Sequence, residues 1–264
     1  MSGRKSIMHS PRLLTPILFF LFSAHAIGQN KNRHTWKIKF ASGYELAGMA
    51  GGAAKTTTVL DISSAFVYNR TTNIQAGKKF QGNYFFRGGV SKKINRLADI
   101  GISAGISNWG GYAQIDKYNS WFQFRNPGFK SVQGKGKDVF NFRYLVIPLS
   151  IYLHPIRQHN FCLLMQGFYA NLKRSEEIVT FKSSTGNPED NAGYIVNNYE
   201  NYKHQNWGAA IGVGYEWPLM KHLDLSTEVS FSKGFTNITE KKIYSQSPSS
   251  TQYLSAGIAL GFSF

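Results

Sequence analysis

Three observations predict an all-β fold, a transmembrane up-and-down antiparallel β-barrel of eight strands. They are an export segment at the N-terminus, period-two alternation in eight separate runs, and connections that alternate short with long. The export segment comes first in the chain. Arg4, Lys5 and Arg12 form a basic stretch, Leu13 to Phe22 an apolar run interrupted by Pro16, and Ser23 to Gly28 a small-residue stretch. This is the pattern of a secretory signal peptide, and the run is well short of the ~20 residues a spanning helix needs. Residues 1–28 are therefore expected to be the signal peptide, cut after Ala26 or after Gly28. Residues 29–264 then form one barrel domain. No cysteine lies near either site, which argues against a lipid anchor. Cys162 is the only cysteine, so no disulfide within the chain can staple the fold. Losing three cations and no acid with the signal lowers the net charge from +16 to +13. Export excludes nucleic acid as the partner of that charge and points to lipopolysaccharide or another anionic surface glycan.

The strands follow. In a strand, alternate side chains point to opposite faces. Trp36, Ile38, Phe40, Tyr44 and Leu46 alternate with Lys37, Lys39, Gly43 and Glu45. Residues 83–94 put Tyr84, Phe86 and Val90 opposite Arg87, Ser91 and Lys93. Residues 98–107 set Ile100, Ile102 and Ile106 against Asp99, Gly101, Ser103 and Gly105. Residues 140–153 place Leu145, Ile147, Leu149, Ile151 and Leu153 on one face. Residues 161–172 are apolar on both faces, which leaves their register open. Residues 207–217 alternate Trp207, Ile211, Val213 and Trp217 with Gly212, Gly214 and Glu216. Residues 223–231 oppose Leu223, Leu225, Val229 and Phe231 to Asp224, Ser226, Glu228 and Ser230. The chain ends on Leu254, Ile258, Leu260, Phe262 and Phe264 against small residues. These lengths suit tilted membrane strands of about 9–11 residues.

Short turns are expected at 95–96, 155–159 and 218–221, and long links at 48–82, 109–138, 174–205 and 237–251. Short turns on one side and long loops on the other are the arrangement of outer-membrane barrels. The first long link holds a further strand-like run, Thr57 to Tyr68, so a ten-stranded count stays open.

A soluble barrel around an apolar ligand would turn its greasy face inward. Here the opposite face carries Lys39, Glu45, Arg87, Asp99, Glu216, Asp224 and Glu228, which predicts an ion-pair network filling the lumen. Aromatics near strand ends (Trp36, Tyr84, Tyr152, Trp207, Trp217 and Phe264) suit interfacial girdles. Phe262 and Phe264 end an alternating strand and resemble the signal by which outer-membrane barrels are recognised for assembly. Pro148 predicts a bulge or local break, because proline removes a ladder donor and a closed barrel has no edge to hide it.

With these pieces placed, Tyr144-Leu145-Val146-Ile147-Pro148-Leu149-Ser150-Ile151-Tyr152 resembles the Tyr-Leu-x-Ile-Pro-Leu strand of the PorT-like outer-membrane β-barrel domain of Bacteroidetes. Gly212 to Tyr215, Gly234 to Ile238 and the final Gly-Phe-Ser-Phe add shorter matches. Val146 and Tyr152 stand where that family often carries an acid and a base. The resemblance implies an outer-membrane location and a barrel, with members associated with secretion among others. It does not imply one function.

No catalytic constellation emerges. His154 and His159 flank a turn. Glu176-Glu177 and residues 187–190 read as solvated loop rather than a metal site. The strand map brings no His–Ser or His–Asp pair together. The segment 109–138 interleaves Trp109, Tyr112, Trp121 and Phe124 with Arg125 and Lys130, which suits a loop contacting glycan, lipopolysaccharide or protein. No cofactor or metal is implied. The expected function is a non-enzymatic scaffold in envelope assembly, secretion or surface interaction, with a plugged lumen. Its expected partners are outer-membrane lipid, the barrel-assembly machinery and an envelope or secretion protein. The alternatives are a narrow channel and, behind it, a lipid-modifying enzyme.

Overall fold

The computed structural model describes residues 36–51, 54, 56–63, 77–95, 97–122, 128–155, 160–238 and 249–264. The expected signal peptide and its cleavage site lie outside them. Ten strands follow in chain order: β1 (Trp36–Gly51), β2 (Thr57–Ser63), β3 (Lys79–Lys93), β4 (Ala98–Phe122), β5 (Gly128–Leu153), β6 (Phe161–Ser183), β7 (Ala192–Asn197), β8 (Gln205–Met220), β9 (Leu223–Gly234) and β10 (Ser249–Ser263). Eight of them close a ring in the order β1-β3-β4-β5-β6-β8-β9-β10, with every neighbouring pair antiparallel and β10 returning to β1. The ring is thus an up-and-down barrel of eight strands. The run beginning at Thr57 does form a strand, but β2 pairs in parallel with the far end of β4, outside the ring. β7 likewise pairs only with β6.

The register fixes the stagger. Stepping from Ile38 through Val90, Ile102, Leu149, Gly167, Ala209, Lys233 and Gln252 returns to β1 at Gly48, ten residues from the start. Strand number and stagger together set a tilt of about 35–45° and an interior that side chains can fill. Every residue on that path faces outward. Its neighbours on the same face form an apolar belt: Phe40 is 58 % exposed, Ile102 51 % and Ile211 66 %. The belt ends in aromatic pairs. On the loop side, Tyr44 meets Tyr84 edge-on at 5.5 Å, and Tyr169 meets Trp207 at 4.6 Å. On the turn side, Tyr215 lies 4.5 Å from Trp217, and the Lys92 ammonium sits 5.1 Å over Trp36.

Several expectations need correction. Tyr152 is buried and faces the lumen, so it is not a girdle residue. The segment 109–138 is not a loop. β4 and β5 continue as a hairpin to Phe122 and Gly128, with one register shift at Ile115/Lys117. Glu176 and Glu177 lie inside β6 rather than in a loop, and Glu177 is buried, accepting a 3.2 Å hydrogen bond from Asn198 Nδ2. Pro218 sits within β8 at a register shift, and the turn after it is Lys221-His222. The register of β6 settles with even residues inward as far as Leu172. An extra residue, Lys173, then moves the inward set to Ser175, Glu177, Val179 and Phe181. At Pro148 the ladder to β4 is interrupted opposite Ser103–Ala104 and resumes in the same register, while the ladder to β6 runs through unbroken. The missing proline N–H therefore costs a local break, not a bulge.

The barrel lumen as candidate functional site

The inward face of each strand is spaced by two, so its residues form a stack of layers along the barrel axis. The layer at the turn side is charged. Lys37 Nζ lies 3.1 Å from Glu216 and 2.9 Å from Asp224. Lys39 Nζ lies 3.3 Å from Glu216 and 3.9 Å from Glu228, and 4.0 Å over the Tyr152 ring. Beside them His154 Nε2 meets Asp99 Oδ2 at 3.3 Å. Two ammonium groups thus face three carboxylates, which share the lysines' donors. Such sharing offsets the cost of removing these groups from water.

The middle layer centres on Glu45, which has no exposed surface. Its Oε1 accepts from Arg87 Nη2 at 2.7 Å and from Ser107 Oγ at 3.4 Å. The Arg87 guanidinium lies 4.6 Å over the Phe85 ring. Phe85 fits because glycines face it on the next two strands, Gly43 on β1 and Gly257 on β10. A Cβ on Gly43 would sit 2.7 Å, and one on Gly257 2.6 Å, from its ring carbons. A cavity of about 60 Å³ lies against both layers, touched by Lys39, Arg87, Gln166 and Glu228. That is room for a few water molecules at most.

The layer at the loop side is aromatic. Trp109 stacks on Tyr253 at 4.8 Å, leans on Tyr144 at 4.5 Å and meets Phe168 edge-on at 5.6 Å. Phe142 meets Tyr202 edge-on at 4.6 Å, and Met49 and Ile238 complete the cluster. Trp109, Phe142 and Tyr144 have no exposed surface at all.

All seven residues expected in the lumen point into it, and the structure sorts them into two groups. Glu45 and Arg87 pair in the middle layer, while Lys39, Asp99, Glu216, Asp224 and Glu228 lie at the turn side. Lys37 belongs with them, and its parity with Lys39 was the available signal. The His154–Asp99 pair runs against the expectation that no His–Asp pair could form. His154 follows β5, and its N–H donates to Leu97 O across the turn-side end of the β4–β5 ladder, which brings the ring to Asp99. No serine or threonine hydroxyl is hydrogen-bonded to that imidazole among the described residues.

The expected loop contacts divide differently. Trp109 is a lumen residue and cannot meet an outside partner. Tyr112 lies on β4 with the ammonium groups of Lys137 at 5.2 Å and Lys79 at 5.8 Å over its ring. Trp121 and Lys130 lie on the β4–β5 hairpin, where Trp121 pairs with Phe129 and Lys130 with Ser120. Phe124 and Arg125 lie outside the described residues. Phe262 and Phe264 are exposed on the belt's turn-side edge, where Phe264 N–H donates to Trp36 O. Among the described residues no group of three or more His, Cys, Asp or Glu side chains is placed to hold a metal ion.

No family model and no curated relative matches the chain. Solved structures do resemble it. One is the outer membrane protein OprG from Pseudomonas aeruginosa, at 10 % identity over 89 % of this chain and 99 % of that one, with a TM-score of 0.40. A second is the outer membrane protease OmpT from Escherichia coli, at 7 % identity over 91 % and 100 %, with a TM-score of 0.38. A third is Neisserial surface protein A, at 8 % identity over 87 % and 97 %, with a TM-score of 0.37. At this level the likeness is one of general architecture, and no activity follows from it.

Proposed function

We propose that the chain is a non-enzymatic outer-membrane barrel whose lumen is plugged and whose long-strand side presents a surface to an envelope, secretion or cell-surface partner. One observation carries this reading. The ring is apolar outside and charged inside, the reverse of a barrel surrounded by water, so its outer face calls for lipid. The first corollary is orientation. Both β1 and β10 have their outer ends on the short-turn side, which faces the periplasm in such barrels. β4, β5 and β6 then extend outward beyond the belt, carrying β2 and β7 on their flanks. That five-stranded extension is the surface offered to a partner, and its lysines suit lipopolysaccharide or an anionic glycan. The motif around Pro148 favours a PorT-like assignment, while Val146 and Tyr152, both turned into the lumen, depart from the acid and base that family often carries there.

Planar-bilayer recording separates this reading from a channel. With the ion-pair and aromatic layers in place, no steady conductance is expected, and reproducible single-channel steps would contradict a plugged lumen. Photo-crosslinking in the native membrane then addresses the partner. A crosslinker at Phe262 is expected to capture the barrel-assembly machinery, and one at Trp121 or Lys130 a surface or secretion component. A partner captured only from the turn side would reverse the assignment of faces.

A further inference from the structure

The apolar belt ends abruptly on one side of the barrel. Ile106, Leu145 and Asn171 form one outward rung across β4, β5 and β6. The next rung toward the long-strand side is Asn108, Arg143 and Arg174, so two arginines are cross-strand partners there. Like charges placed opposite each other destabilise a sheet. The extra residue in β6 adds a third cation at the same place, because Lys173 is exposed beside Arg174. Among the described residues the compensation is slight. Arg174 pairs with Glu176, Arg143 Nε donates to Asn108 Oδ1 at 3.2 Å, and neither Arg143 nor Lys173 has an ion-pair partner.

Against this cluster lies an open recess of about 410 Å³ lined by Lys173, Arg174, Asn197, Asn198, Tyr199 and Glu200. Its floor is fixed. Buried Asn198 accepts from Ser175 Oγ at 2.5 Å and donates to Glu177, while Tyr199 stacks on His204 at 4.1 Å and donates its hydroxyl proton to Leu172 O. The cations supply charge for a phosphate, and Glu200 and Asn197 supply acceptors and donors suited to sugar hydroxyls. The recess opens one rung above the belt, where lipid headgroups lie if the belt is embedded.

We propose that the Arg143–Lys173–Arg174 bulge and its recess form a binding site for the phosphorylated sugar headgroup of an outer-leaflet glycolipid. This rests on the outer-membrane reading and gives its lipid partner an address on the barrel. The lipid source follows from continuity with the belt: a headgroup can sit in the recess while its chains lie along Ile106 and Leu145.

The test uses the full-length protein purified from its membrane and placed in phosphatidylcholine vesicles, with or without lipid A carrying its phosphates. Heat-modifiable gel migration reports folding, and the rise in its midpoint with lipid A mole fraction reports binding. Each cation near an anionic headgroup is worth about fivefold. The triple variant R143Q/K173Q/R174Q is therefore expected to need roughly a hundredfold more lipid A. K233Q, exposed at the loop-side end of β9, should stay within about twofold of the parent. Dephosphorylated lipid A should give no rise. A triple variant that folds and responds like the parent, or an equal response to dephosphorylated lipid A, would overturn the site. An equal response to phosphatidylglycerol would overturn the sugar component. A chain without a heat-modifiable form in any vesicle would bring down the barrel reading itself, a failure distinct from the others.

Discussion

Replacing Glu45 with alanine is expected to destabilise the folded barrel by about 3–5 kcal/mol. Glu45 is wholly buried and holds Arg87 Nη2 at 2.7 Å. Its removal leaves the Arg87 guanidinium in the lumen with Ser107 Oγ, at 3.1 Å, as a neutral acceptor in place of a carboxylate. The cost is that of an uncompensated buried charge and exceeds what the pair contributes over an apolar filling. The double variant Glu45→Leu with Arg87→Met should therefore recover most of the loss. Denaturant titration of the vesicle-inserted protein, read by gel migration, gives both numbers. A single-variant loss under about 1 kcal/mol would place Arg87 in contact with water and remove the middle layer from the account.

Trp109→Ala is the second large effect, expected at about 3–5 kcal/mol. The indole touches Tyr144, Phe168 and Tyr253, and these rings belong to three other strands of the ring. They cannot collapse into the space without moving the ladders. The same substitution in an exposed loop would change stability by no more than about 0.5 kcal/mol. The same titration thus distinguishes a lumen tryptophan from the loop tryptophan that the sequence suggests.

That difference marks where the sequence stops being legible. Inside the belt the outward face is apolar and the lumen takes charged or small residues, so alternation in β1, β4, β8, β9 and β10 is plain to read. The lumen charges follow from the same parity. Beyond the belt the outward residues of β5 include Lys135, Lys137, Asn141 and Arg143, and the pattern fades although the strands continue. A polar outer face with aromatics between glycines reads as loop. β6 hides its register for the opposite reason. Its inward residues Leu164, Phe168, Ala170 and Leu172 are apolar because Phe168, Ala170 and Leu172 join the aromatic layer, while Leu163 and Met165 face the belt. Both faces are greasy, and periodicity carries no information. The His154–Asp99 contact was invisible for a third reason: it depends on how the chain leaves β5, which strand pairing alone does not define.

The claim on which everything else depends is that even-numbered residues of the first part of β4 face lipid and odd-numbered ones face the lumen. Spin labels placed one at a time at positions 99–107, in a Cys162→Ala background, test it through their collision rates with oxygen in the bilayer. The labels at Ile100, Ile102, Ala104 and Ile106 are expected to show high oxygen accessibility, and those at Asp99, Gly101, Ser103, Gly105 and Ser107 low accessibility, in strict alternation. The opposite phase, or a flat profile across the nine positions, would contradict the barrel described here.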